Sequence, residues 1–308
     1  MEVDRLFYGT PTLGKVADHL KKVAGTDATV LVTGETGTGK KVWAEYIHQH
    51  SRRAGRPFHS LNISSLTKEL FESEMFGVAK GVYTGQAQTR AGHIRYANGG
   101  TLFLDEIGDL SLEVQNKILH LFDRAEVIPV GTTTAIPISV RYIFATKHDL
   151  RELIEQGRFR EDLYYRILVE HVQLPALRDC PDDIVPLAEH FLKQWSTKLR
   201  RRFVLTPEAV ERLKAHSWPG NVRELEHAIE RAVLICASSQ LDASTFQFAR
   251  NGRHDLTLQE YLTRQRVEYV TRTVGRCGGD VRVAARRLKI PVKTVEVLMG
   301  ETDEREPI

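Results

Sequence analysis

Gly34-Glu35-Thr36-Gly37-Thr38-Gly39-Lys40 carries three glycines and a lysine in the G-x-x-x-x-G-K spacing. Glycines let the chain turn tightly enough for successive backbone N–H groups to surround one anion, and the lysine adds a point charge at the terminal phosphates of a nucleotide. Polyphosphate binding is the chemistry this spacing predicts. The next residue is Lys41, where a common phosphate loop has a Ser or Thr hydroxyl for Mg²⁺. A metal ligand is therefore expected elsewhere, and the adjacent carboxylates of Asp105 and Glu106 can divide the work. Asp105 is expected to hold Mg²⁺, directly or through water, and Glu106 to orient and polarise the water that attacks the γ-phosphate.

Those side chains require rigid elements to aim them. Residues 28–33 form an apolar run ending at Gly34, followed by a helical pattern that carries Val42, Trp43, Tyr46 and Ile47. A second run, 101–104, leads straight into Asp105-Glu106, and a third, 142–145, into Thr146, with a helical segment over 112–122 between them. This alternation predicts an open, mostly parallel α/β sheet whose ligands bind at the C-terminal strand ends. After Pro175 the strand signals stop, and patterns over 184–199, 207–216 and 221–236 predict an all-helical subdomain. Residues 238–255, with Ser, Asn and Gly and weak periodicity, predict a linker. A long helix over 258–274 follows, then a Gly278-Gly279 break and two short helical patterns around Ile290-Pro291. Those two read as a helix-turn-helix, with Asp280 as N-cap and Ala284, Ala285, Leu288, Ile290 and Val295 as its apolar contacts.

Charge separates the last part from the rest. The whole chain has 43 Lys+Arg against 40 Asp+Glu, which excludes a uniformly basic nucleic-acid binder, but residues 256–300 hold 9 basic against 4 acidic residues. The final eight residues are acidic, with 1 against 4. Cys180, Cys236 and Cys277 are widely spaced and odd in number, so neither a disulfide framework nor a zinc site is expected and a reducing cytoplasm fits. No run approaches the length of a membrane span, and no secretory leader is predicted.

Longer motifs in fixed order carry a resemblance: GETGTGK at 34–40, ESEMFG at 72–77, GGTLFLDEI at 99–107, FREDLYYR at 159–166, LPALR at 174–178 and WPGNVREL at 218–225. From about residue 6 to 299 the chain resembles the AAA+ ATPase activators of sigma-54 RNA polymerase, also called bacterial enhancer-binding proteins. The resemblance implies an α/β AAA+ P-loop NTPase with a parallel sheet and a helical lid, joined to a small all-α helix-turn-helix domain of the Fis type. Its expected divisions are 1–174 for the α/β ATPase part, 175–240 for the lid, 241–255 for a linker, 256–300 for the helix-turn-helix and 301–308 for the acidic tail.

The resemblance also implies ATP and Mg²⁺ as cofactors and a homo-hexamer, or a hetero-oligomer with a related activator. The implied partners are sigma-54 RNA polymerase and enhancer DNA. By the same likeness, Asn62 would couple Glu106 to the nucleotide state, Thr146 would sense the γ-phosphate, and Arg160 and Arg166 would be arginine fingers given to a neighbouring subunit. Arg223 would be the sensor II arginine of the lid. Gly81-Val82-Tyr83-Thr84-Gly85-Gln86 takes the place of the family's GAFTGA loop, which contacts sigma-54; Val82 and Gln86 replace small alanines there. Lys147 stands where the family more often has Asn or His, and Lys41 where it is often acidic. In the C-terminal block Arg282, Arg286, Arg287, Lys289, Lys293 and Thr294 would meet DNA. No receiver or GAF domain is expected ahead of the P-loop, so control is expected from a separate regulatory protein, a paired activator or expression level. The implied function is an ATP-driven transcription activator. The alternative is an ATP-responsive DNA-binding regulator of the same fold that no longer remodels sigma-54, with the altered loop as the discriminating feature.

Overall fold

The computed structural model describes residues 10–63, 68–82, 89–236, 238–248 and, further on, 269–270, 273–275, 277, 279–288, 290–292 and 294–295. Tyr83, Thr84, Gly85, Gln86, Lys289, Lys293, most of the expected linker and long helix, and the acidic tail lie outside them. The chain divides into two units, Met1–Gln247 and Phe248–Ile308.

Helix α1 (Pro11–Ala24) opens the first unit, with Pro at its first turn and Leu13, Ala17, Leu20, Val23 and Ala24 buried. Distant side chains satisfy both of its ends. Asp183 accepts from the N–H groups of Thr12 and Leu13 (both 3.0 Å), and Arg141 donates to the carbonyls of Ala24 (2.9 Å) and Val23 (3.1 Å). A carboxylate at the N-terminus and a guanidinium at the C-terminus complement the helix dipole and the unpaired backbone groups at once.

Strand β1 (Val30–Thr33) follows, then α2 (Lys40–Gln49), β2 (Phe58–Asn62), α3 (Lys68–Phe76) and the short pair β3 (Gly77–Val78) and β4 (Arg90–Ala91). Next come α4 (His93–Tyr96), β5 (Thr101–Asp105), α5 (Leu112–Arg124) and the short antiparallel pair β6 (Glu126–Val127) and β7 (Ile136–Pro137). Strand β8 (Arg141–Thr146), α6 (Leu150–Glu155), α7 (Glu161–Ile167) and β9 (Glu170–Gln173) complete the α/β part. Five strands make one parallel sheet in the order β2-β5-β8-β1-β9. The three apolar runs of the sequence are its three central strands, whose residues are buried from both sides. The edge strands β2 and β9 have partly exposed, mixed residues, so no apolar run marks them.

The lid consists of α8 (Pro181–Leu199), α9 (Pro207–Ala215) and α10 (Asn221–Ile235). It is not all-helical as expected. Strands β10 (Val204–Leu205) and β11 (Gln240–Leu241) pair in parallel within it, and at two residues each they are too short to give a periodic signal. Trp218, fully buried, donates its ring N–H to the Leu213 carbonyl at 2.9 Å and anchors the turn into α10.

In the second unit α11 (Val281–Leu288) begins after Asp280, whose carboxylate accepts from the N–H groups of Arg282 (2.8 Å) and Val283 (3.0 Å). Val270, Val274, Ala284, Ala285 and Val295 form its small core, with Cys277, Val281, Leu288 and Ile290 packed against it. Arg282, Arg286 and Arg287 lie on α11.

Candidate functional site

Strand β1 ends at Thr33, and the next residues turn back so that α2 starts at Lys40. The Gly34 N–H donates to the Thr146 carbonyl at 3.3 Å, which holds the cradle against the end of β8. Gly37 (φ +84°) and Gly39 (φ +87°) adopt left-handed backbone that favours glycine. Lys40, almost fully buried, donates to the carbonyls of Gly34 (2.9 Å) and Glu35 (3.2 Å). The Thr38 hydroxyl donates to the Glu35 carbonyl at 2.8 Å. Lys41 points away along the helix surface, 4.0 Å from Glu45 and exposed.

Asp105 ends β5 and Glu106 follows it with φ +60°, a conformation rare for a residue with a side chain and one that clusters at functional sites. This bend directs the Glu106 carboxylate between two elements. One oxygen is 3.9 Å from the Lys40 ammonium, and the other accepts from the Lys147 N–H at 3.2 Å. Burial pushes the Lys40 ammonium toward neutrality, Glu106 and Asp105 oppose this, and Lys147 and Arg223 add to it. Burial and the neighbouring Glu106 charge push the Asp105 carboxyl above its ordinary value. Two half-buried carboxylates so short of positive charge suit a hard cation with oxygen ligands, and Asp105 is the residue that would hold Mg²⁺ here.

Asn62 lies opposite Asp105 in the β2–β5 register, one residue from Glu106. Thr146 is fully buried, and its hydroxyl accepts from the His148 N–H at 3.1 Å. Asp109 pairs with His148 at 2.9 Å and lies 3.9 Å from the Lys147 ammonium.

The lid closes on the cradle through the start of α10. The Arg223 N–H donates to the Gly37 carbonyl at 3.2 Å. Asn221, fully buried with φ +52°, donates to Glu35 Oε2 (3.1 Å) and to the Thr36 carbonyl (3.0 Å), and accepts from the Leu177 N–H (2.8 Å). Arg178 forms two further hydrogen bonds to Glu35, of 2.9 and 2.5 Å. Arg178 and Asn221 together hold the Glu35 carboxyl at about 2. Asn221 and Arg178 were missed as site residues. The detectable signal was an Asn, tolerant of positive φ, directly after Pro219-Gly220.

Arg160 caps the N-terminus of α7 and Arg166 sits in its last turn. Arg160 is paired with Asp162 at 3.0 and 2.6 Å, and Arg166 donates to the Phe122 carbonyl at 3.4 Å. Of the 81–86 segment, Gly81 and Val82 are described. Its base is fastened to the strand partner of β3: Val130 N–H donates to the Gly77 carbonyl (2.8 Å) and Ala79 N–H to the Val130 carbonyl (2.9 Å). Val82 packs over Gly131, where a Cβ would lie 2.1 Å from Val82 Cγ2.

Residues 6–173 match the family model of the sigma-54 interaction domain, and residues 178–258 that of the AAA+ ATPase lid domain. The sigma54-dependent transcriptional regulator SfnR of Pseudomonas fluorescens (strain Pf0-1) is 45% identical over 246 residues, 80% of this chain and 67% of that protein. The transcriptional regulatory protein ZraR of Klebsiella oxytoca is 40% identical over 293 residues, 93% of this chain and 66% of that protein. This chain spans two thirds or less of the length of most such relatives, 36% for HyfR of Escherichia coli. Among solved structures, NtrX from Brucella abortus in complex with ATP superposes with a TM-score of 0.70 at 31% identity, covering 95% of this chain and 68% of that one. Its complex with ADP gives 0.70 at 31% identity, over 95% and 67%.

Proposed function

The chain belongs to the sigma-54 interaction family, AAA+ P-loop ATPases with a parallel sheet and a helical lid, and from that premise we propose that it is an ATP-hydrolysing transcription activator that binds enhancer DNA and remodels the closed complex of sigma-54 RNA polymerase. The observation that carries this reading is the convergence of Lys40, Asp105 and Glu106 on a glycine cradle that the lid grips through Asn221 and Arg223.

In this reading the backbone N–H groups of 34–39 and the Lys40 ammonium bind the phosphates. Mg²⁺, held by Asp105, supplies charge neutralisation when bound. Glu106 orients the attacking water, and Thr146 and Asn62 relate its position to the nucleotide. Arg223 ties the lid to the same nucleotide, so that gain or loss of the γ-phosphate moves the lid against the sheet.

Arg160 and Arg166 serve the site of a neighbouring protomer in a homo-hexamer or in a ring shared with a related activator. For this, Arg160 must leave Asp162, a partner only half shielded from water and so weakly bound. Specific ATPase activity is then expected to rise with protein concentration through assembly. Mixing Arg160→Ala with Glu106→Gln subunits is expected to restore turnover at interfaces that combine an intact arginine with an intact glutamate. Pi release from verified mixed rings measures this, and no recovery would remove the trans assignment.

The C-terminal unit supplies DNA binding in this proposal, through Arg282, Arg286, Arg287, Lys293 and Thr294, mostly to phosphate. The loop 81–86 supplies the contact with sigma-54. Thr84→Ala is expected to keep ATP hydrolysis and DNA binding and to lose open-complex formation. In vitro transcription with sigma-54 polymerase, enhancer DNA and ATP tests it. A wild-type chain that hydrolyses ATP and binds DNA yet opens no promoter, alone or with a paired activator, would instead support the regulator that no longer remodels.

A further inference from the structure

Lys147 follows Thr146 at the C-terminal end of β8, the strand end to which the phosphate cradle is bonded through Gly34 N–H and the Thr146 carbonyl. Its two polar groups face different partners. The backbone N–H donates to one oxygen of Glu106, whose other oxygen lies 3.9 Å from the Lys40 ammonium. The side-chain ammonium lies 3.9 Å from Asp109 Oδ2, while Asp109 Oδ1 pairs with His148 Nε2 at 2.9 Å.

His148 therefore fixes Asp109, and Asp109 offers its second oxygen to Lys147. That contact is long, and the Lys147 side chain is 40% exposed, so water competes for the ammonium and holds it loosely. The Lys147 charge is also close enough to disfavour the Lys40 ammonium. Two cations thus stand on the same side of Glu106 in a site whose expected ligand is a polyanion. A terminal phosphate carries more charge than one carboxylate and offers oxygens to both lysines.

We propose that Lys147 is a second phosphate-binding cation that distinguishes the triphosphate from the diphosphate: its ammonium rests on Asp109, itself held by His148, and transfers to the γ-phosphate when the nucleotide binds. The inference rests on the ATPase reading of this site. The reach is that of one lysine side chain pivoting on a fixed backbone, because the Lys147 N–H stays on Glu106.

Affinities for the non-hydrolysable ATP analogue AMP-PNP and for ADP, measured on wild type, Lys147→Ala, Lys147→Arg and Asp109→Asn, test it. Lys147→Ala is expected to weaken AMP-PNP binding about tenfold or more and to change ADP binding less than about twofold. Lys147→Arg is expected to retain most of the wild-type preference. Asp109→Asn, which frees the ammonium, is expected to keep or strengthen AMP-PNP binding. An equal loss for both nucleotides in Lys147→Ala, or none for either, overturns the proposal while leaving the ATPase reading in place. A wild-type chain that binds neither nucleotide overturns both. ADP binding reports an intact cradle in every variant, so a folding defect is separable.

Discussion

Glu106→Gln is expected to bind ATP within a few-fold of wild type and to lose turnover by about 10²–10⁴-fold. The two side chains have the same shape, and Gln can still accept from the Lys147 N–H through its carbonyl oxygen, so the strained φ of +60° and the placement of the head group survive. What is removed is the negative charge that polarises water and can take its proton. The Lys40 ammonium also loses its ion pair with Glu106, but burial, not that pair, is the largest influence on it, and Asp105 remains beside it. Equilibrium binding of a fluorescent ATP together with single-turnover Pi release separates the two effects. Turnover close to wild type would refute the role given to Glu106.

Gly37→Ala is expected to remove ATPase activity by about 100-fold or more, and the cause is the lid rather than the phosphate contact. A Cβ on Gly37 would lie 2.1 Å from the Gly220 carbonyl oxygen and 3.3 Å from Arg223 Cβ. The first of these is backbone, pinned by the turn into α10, and cannot rotate away. The left-handed φ of +84° adds a conformational cost of roughly 1–2 kcal/mol for alanine. Relief requires the cradle and the lid to separate, which breaks the Arg223–Gly37 and Asn221–Thr36 hydrogen bonds. Gly157→Ala is the control, since it has φ +67° with open space around its would-be Cβ. Thermal unfolding is expected to show a modest loss in both proteins, and the ATPase assay a large loss in Gly37→Ala alone. Equal activities would mean that lid contact at Gly37 is not needed for hydrolysis.

The sequence by itself determined the parts whose physics is local. Gly34 to Lys40 could be read as a phosphate cradle because the requirement for tight turns and a following helix is met within one short stretch. Strands β1, β5 and β8 were legible because burial from both sides demands unbroken apolar runs, and Asp105 and Glu106 were aimed by their place at the end of one of them. Edge strands β2 and β9 and helix α1 were not legible. The edge strands are only partly buried, and α1 is completed by Asp183 and Arg141, which lie far from it in the chain.

Only the tertiary structure decided the rest of the site. Asn221 reaches Glu35 across 186 positions and Arg178 reaches it across 143, so no local pattern could pair them. Glu106 meets the Lys147 N–H across 41 positions because β5 and β8 are neighbours in the sheet. Side-chain type and spacing specify what chemistry a residue can do. Strand order and the docking of the lid determine which of those residues meet, because the contacts that close a site depend on positions in space that are set by the packing of the whole sheet and its helices.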